Sequence, residues 1–165
     1  MKTERTRDLK KIRLCLGLVI FALVLSGLTA FPLLTELNFL VQAGGIDHGS
    51  TSLLSVWLLR VRDALAEADA RFPFMAYGTD WLAFAHLVIA VFFVGPFRDP
   101  VRNIWIIRAG LVACAGVPLL ALICGPVRGI PFFWRLIDCS FGLLGFFPLW
   151  FALRLTRRLQ TLPTP

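Results

Sequence analysis

Residues 104–125 read IWIIRAGLVACAGVPLLALICG. A single ionisable side chain, Arg108, stands near the start, and everything after it is apolar or small. About 20 such residues, wound as a helix, cross a hydrocarbon core of about 30 Å. Three other stretches have the same character. Residues 14–34 follow the basic Lys10-Lys11-Ile12-Arg13. Residues 81–97 follow Gly78-Thr79-Asp80 and stop near Gly95-Pro96, a pair that ends helices. Residues 131–153 form the last. The fold class expected is all-α, an integral membrane four-helix bundle in a single domain. Its spans fall at approximately 14–35, 79–97, 101–125 and 131–154.

Composition agrees. Hydrophobic residues make up 58% of the 165 and charged residues 16%, against roughly 45–50% and 25% in ordinary soluble domains. A water-soluble chain of this length could not hide so much apolar surface, whereas a bilayer can. Fifteen phenylalanines and five tryptophans fit as well, because aromatic side chains gather at membrane interfaces. The net charge of +7 sits in short segments flanking the apolar runs. It forms no basic stripe interleaved with exposed aromatics, which excludes a nucleic-acid partner.

A basic head before an apolar run also describes a secretory signal. The first run is too long for the usual signal core, and Leu28, third back from Ala30, does not fit a small-residue cleavage site. It reads as a retained helix bent at its outer end by Pro32. Asp99-Pro100 reads as an N-cap followed by proline at the first helical position, so the third helix is expected to begin before its apolar stretch. Pro148 is placed to kink the fourth.

Lysine and arginine set the orientation. Lys2, Arg5, Arg7, Lys10, Lys11, Arg13, Arg98, Arg102, Arg108, Arg154, Arg157 and Arg158 fall on one side with Glu4, Asp8 and Asp99, a net +9. The other side collects five basic and seven acidic residues, a net −2, and the two make up the +7 of the chain. Four crossings with both termini cytoplasmic satisfy this split, in a bacterial-type plasma (inner) membrane judged by short loops and compactness.

The longest polar piece, residues 38–78, falls outside. Within it, Leu54, Leu58, Val61, Leu65 and Ala68 recur at helical spacing, as do Arg60, Asp63, Glu67 and Arg71. With Trp57 beside the apolar stripe, residues 52–71 read as an amphipathic helix lying on the outer surface or capping the bundle.

Ionisable residues inside apolar spans are costly and therefore informative. Here they are His86, Arg108, Arg135 and Asp138, with Glu36 and Asp80 at the outer margins. At about 1.5 Å per residue, His86 and Asp138 both lie roughly 10 Å below the outer surface. Arg135 stands one turn above Asp138 on the same helix face. His86, Arg135 and Asp138 thus form a candidate ligand-binding polar cluster facing the bundle interior, with Asp80 and Cys139 as weaker candidates. The bland reading stands beside it: Arg135 and Asp138 pair with each other, His86 bonds a backbone carbonyl, and Asp80 caps its helix. Arg108 snorkels to the inner headgroups, and Glu36 and Asn38 end the first helix in water.

Cys15, Cys114, Cys124 and Cys139 show no Cys-x-x-Cys spacing. Cys124 and Cys139 lie at different depths, which disfavours a disulfide. The four-helix disulfide oxidoreductases of bacterial membranes share the topology but need paired outer cysteines. Four-helix membrane cytochromes need several axial histidines, and zinc needs three or four ligands. No cofactor and no metal are therefore expected. Small residues Ala109, Ala113 and Gly116 on the third helix and Gly142 and Gly145 on the fourth point to close packing of these two helices.

Three functions fit these residues. The first, preferred, is a non-enzymatic accessory subunit or binder of a lipid or other lipophilic molecule, whose partners are membrane lipids and a partner subunit or second copy. The second is a small membrane enzyme with His86 as general base and Asp138 as its orienting partner. The third is an oligomeric proton-coupled transporter.

Overall fold

The computed structural model describes residues 2–161; the side chains of Lys2 and Thr3 and the tail at 162–165 lie outside the described residues. All regular elements among them are helical. They are α1 (Lys2–Ala30), α2 (Leu33–Ala43), α3 (Leu53–Arg71), a 3-10 turn (Pro73–Met75), α4 (Ala76–Arg98), α5 (Ile104–Val127) and α6 (Phe132–Thr161). Four stretches, Glu4–Ala30, Pro73–Arg98, Ile104–Val127 and Phe132–Thr161, are helical, long and apolar enough to cross a membrane. The chain itself covers little of them. Only 6% of the apolar window of α5 is buried, and Phe21, Val91, Val112 and Leu144 are exposed. Contiguous apolar surface of this extent requires lipid as its solvent. The chain is a multi-pass membrane protein.

The described chain divides into two compact units, Met1–Ala22 with Ile89–Pro165, and Leu23–Val88. In the first, Ile12, Leu16, Ile107, Leu149 and Ala152 are almost wholly buried. Its closest helix pair is α5 with α6. A Cβ added at Gly142 would lie 2.6 Å from the Cys114 carbonyl oxygen, so only glycine lets the two backbones meet there. The expected α5–α6 pairing is present, but the ridge differs from the one the spacing indicated. Cys114, Val117 and Pro118 face Gly142, whereas Gly116 opens onto empty space. The small residues of α5 outnumber those in the seam, so composition alone selects the wrong face.

The two helices are joined by a tight turn. Gly129 has φ +69°, and Ile130 N–H donates to the Gly125 carbonyl while Gly129 N–H donates to that of Pro126. This paired 6→1 and 5→2 closure satisfies the last carbonyls of α5 and needs a residue tolerant of positive φ.

At the ends that carry the basic segments the helices run further than the apolar pattern indicates. α6 continues to Thr161 and carries Arg154, Arg157 and Arg158 on helix, because Thr156 and Leu159 extend its buried stripe past Leu153. α1 is already helical through its basic segment, with Asp8 and Ile12 buried. α5 begins at Ile104 and not at 101. Asp99 Oδ1 instead accepts from Arg102 N–H in a turn, and the expected N-cap role of Asp99 is not realised.

The second unit differs more from the sequence reading. Pro32 does not merely bend the first helix; α1 stops at Ala30 and α2 starts at Leu33. Proline has no N–H to donate, yet its carbonyl still accepts from Glu36 N–H at 2.9 Å. Glu36 and Asn38 therefore lie inside α2 and do not end a helix in water. Leu37 and Val41 are the buried face of α2. α3 begins where Ser52 caps it by accepting from Ser55 N–H at 3.2 Å, and Arg71 reaches Glu67 at 3.2 Å. α4 starts at Ala76, so Asp80 sits in its second turn and is not its cap.

Candidate functional site

Arg135 is the side chain around which the turn end of the α5–α6 hairpin is built. The Pro131 carbonyl accepts from both Trp134 and Arg135 N–H, at 3.1 Å each, which fixes the first turn of α6. The short turn folds α6 back along α5, and that places Arg135 against Gly125. A Cβ at Gly125 would collide with Arg135 Cδ and lie 2.8 Å from its Cγ. Gly125, buried, thus opens a groove that receives the aliphatic stem of the arginine. The guanidinium carbon lies 5.2 Å from the centroid of the Phe132 ring, one turn back, a cation–π arrangement that draws the charge toward the helix start. Nε is buried without a hydrogen-bond partner.

Asp138 lies one turn further along α6 and is half-buried. The pairing with Arg135 that would make this turn cheap in lipid is absent: Asp138 takes part in none of the ion pairs or hydrogen bonds among the described residues. Two opposite charges therefore stand on one helix turn with neither neutralised. Coulomb attraction in a medium of low dielectric should bring them together. The groove at Gly125 and the Phe132 ring hold the arginine away.

His86 and Asp80 belong to α4 in the other unit. His86 Nδ1 donates to the Leu82 carbonyl at 2.8 Å, the backbone bond of the bland reading. The Nδ1–H that an orienting carboxylate would need is therefore already committed. Cys139 is a half-buried free thiol beside Asp138 in sequence, and Cys15, Cys114 and Cys124 are free as well. Among the described residues no three histidine, cysteine or acidic side chains come together as a metal-binding group. Arg108 is exposed on α5.

Two features escape the sequence reading. One is the seat of Arg135. Gly125 reads only as a helix terminator, although a four-residue turn at 128–131 sets residues 125 and 135 nearly opposite each other. The other lies at the far end of α6. Asp8 is only 3% exposed, and Arg158 Nε approaches its Oδ2 at 4.0 Å. Arg5 Nη1 is buried without a hydrogen bond. In the sequence Asp8 is one acid in a basic run, and nothing marks it as buried.

Comparison with protein-family models, with curated proteins and with solved structures gives no match.

Proposed function

We propose that this four-pass membrane protein is a non-enzymatic binder of a lipophilic molecule, acting alone or as an accessory subunit, and that Arg135 and Asp138 hold the polar head of that molecule. The observation that carries the reading is the pair of unneutralised charges on one turn of α6. Charged groups inside a span persist where they meet a partner, and none of the described residues supplies one. A bound head would.

Charge positions support the membrane frame. From Arg108 to Arg128 along α5, and from Arg135 to Arg154 along α6, the helix rise gives about 30 Å and about 28 Å, close to the thickness of a hydrocarbon core. Arg135 then stands at one edge of the hydrocarbon, with Asp138 one turn inside it. The excess of arginine and lysine around Arg13, Arg98, Arg108 and Arg154 supports a cytoplasmic side at those ends, in a bacterial-type plasma membrane, and with it an outward-facing Arg135 site. The Phe72, Phe74, Tyr77 and Trp81 side chains are exposed just before and within the start of α4. Such aromatics suit an outer interface, along which α3 would lie.

Purification in a mild detergent, followed by mass spectrometry of extracted small molecules, tests this. Bound amphiphile is expected in the native protein and its loss in Arg135→Ala and Asp138→Asn. Variants that fold normally and keep both ligand content and partner association would remove the role of these two residues.

A further inference from the structure

Arg135 and Asp138 differ in depth as well as sign, and the order of the two charges carries information about the ligand. α6 begins at Phe132, so Asp138 is nearer the middle of the span than Arg135 by about 4.5 Å, whichever side of the membrane the helix starts from. An amphiphile whose head sits at this turn keeps its chain toward the bilayer centre. A cationic group of the ligand placed on Asp138 is therefore nearer its chain, and an anionic group placed on Arg135 is further out.

We infer that the Arg135–Asp138 turn selects zwitterionic amphiphiles whose ammonium lies between the hydrocarbon chain and a terminal carboxylate or phosphate. The inference rests on the reading of this turn as the ligand-head site. Three observations combine in it. Arg135 and Asp138 form no ion pair with each other, so each charge remains available. The arginine is held toward the helix start by Phe132 and by the groove at Gly125, which fixes the outer position of the positive charge. Its Nε is buried and unbonded, so the Nη groups are the donors left to a ligand, and guanidinium is the donor best shaped for a planar carboxylate or a phosphate. A ligand with a single charge would neutralise one of the two residues and leave the other in low dielectric, which is costly. An ethanolamine phospholipid carries both charges in the opposite order, ammonium outermost.

The test uses two probes with the same chain length, N-dodecylglycine (ammonium on the chain side of the carboxylate) and dodecyl phosphoethanolamine (ammonium outermost). Each is titrated calorimetrically against the full-length protein in nanodiscs of a neutral lipid. The expected result is at least about tenfold tighter binding of N-dodecylglycine, a ratio that corresponds to one well-placed charge-assisted contact. Arg135→Asp combined with Asp138→Arg reverses the charge order and is expected to reverse the preference. Equal affinity of the native protein for both probes overturns the inference, and that result needs no variant to fold. If the probes bind equally while the ligand copurifying with the native protein disappears in Arg135→Ala, the inference fails and the lipophilic-ligand reading survives. If neither probe binds and no amphiphile copurifies, both fail.

Discussion

The two ends of α6 treat buried charge in opposite ways. At the C-terminal end, Asp8 from α1 is 3% exposed and is met by Arg158 at 4.0 Å, while buried Thr156 donates its hydroxyl proton to the Ala152 carbonyl at 2.8 Å. Asp8 Oδ2 accepts no hydrogen bond there, but a cation of the protein itself faces it. At the N-terminal end Arg135 and Asp138 are one turn apart, half-buried, and unpaired. One helix and one packing unit can thus either close a polar site or leave it open. The difference lies in what faces the helix: α1 brings a carboxylate to one end, and Gly125 of α5 brings only space to the other.

The comparison breaks most visibly at its closed end. Arg158→Met removes the cation that faces Asp8 and leaves a buried carboxylate without compensation. Removing one partner of a buried pair typically costs 3–5 kcal/mol. Because Arg158 is 56% exposed and the 4.0 Å separation is long, we expect less, about 2 kcal/mol after solvent screening, read as a fall in the unfolding midpoint in detergent. Adding Asp8→Asn to Arg158→Met is expected to recover most of that loss, since a neutral amide needs no counter-charge. Ligand content should not change in either variant. A fall in stability that Asp8→Asn fails to relieve would mean that Arg158 acts through packing and not through charge.

Next in size is the turn that sets the open end. Gly129→Ala forces an L-residue into φ +69° and is expected to cost about 1–2 kcal/mol. Gly125→Ala acts differently. The added methyl displaces the stem of Arg135, freeing the guanidinium to swing toward Asp138. Stability is expected to change by about 1 kcal/mol, while bound ligand falls, because the two charges now satisfy each other. Retained ligand in Gly125→Ala would show that the groove does not hold the arginine apart from the acid.

Much of the fold is legible in the sequence because lipid leaves a coarse signal. Four long apolar runs, interrupted by almost nothing charged, mark four helices whatever their packing. Precise helix ends are less legible, since they depend on contacts that hydropathy does not encode. Pro32 could bend a helix or separate two, and the choice turned on Leu37 and Val41 having something to bury against, which is a tertiary fact. Asp99-Pro100 has the composition of a helix start, but the carboxylate serves a turn one step earlier. The candidate site is legible in identity and not in arrangement. Arg135 and Asp138 stand out as charges within a span, and i,i+3 spacing invites an ion pair; only the groove at Gly125 shows why they do not form one. Asp8 was hidden for the converse reason, since an acid among cations, as Glu4 also is, gives no sign that α6 covers it.

Arg135→Met sharpens the contrast from the open end. If no protein group neutralises this arginine, its loss removes a desolvation cost and no interaction except the Phe132 contact. The ligand-free protein is then expected to be as stable as the native chain or slightly more so, within about 1 kcal/mol. Arg158→Met and Arg135→Met are the same chemical change on the same helix, and opposite outcomes are the signature of a closed and an open site. Marked destabilisation of the ligand-free protein by Arg135→Met would instead make the arginine structural.

The smallest effect is expected in α3, where an ion pair stands outside any core. Glu67 and Arg71 meet at 3.2 Å, closer than Asp8 and Arg158, yet their side chains are 65% and 69% exposed. Water already solvates both charges, so breaking the contact costs little beyond the weak i,i+4 attraction of about 0.3–0.5 kcal/mol, and added salt should erase even that. Glu67→Ala is therefore expected to leave the unfolding midpoint within error of the native value at moderate ionic strength. Set against Arg158→Met, it separates distance from burial: the shorter pair should be worth less, because the worth of a charge pair in this protein is set by how much solvent its removal leaves to the survivor. A loss in Glu67→Ala as large as that in Arg158→Met would show instead that α3 is covered by something the isolated chain does not contain.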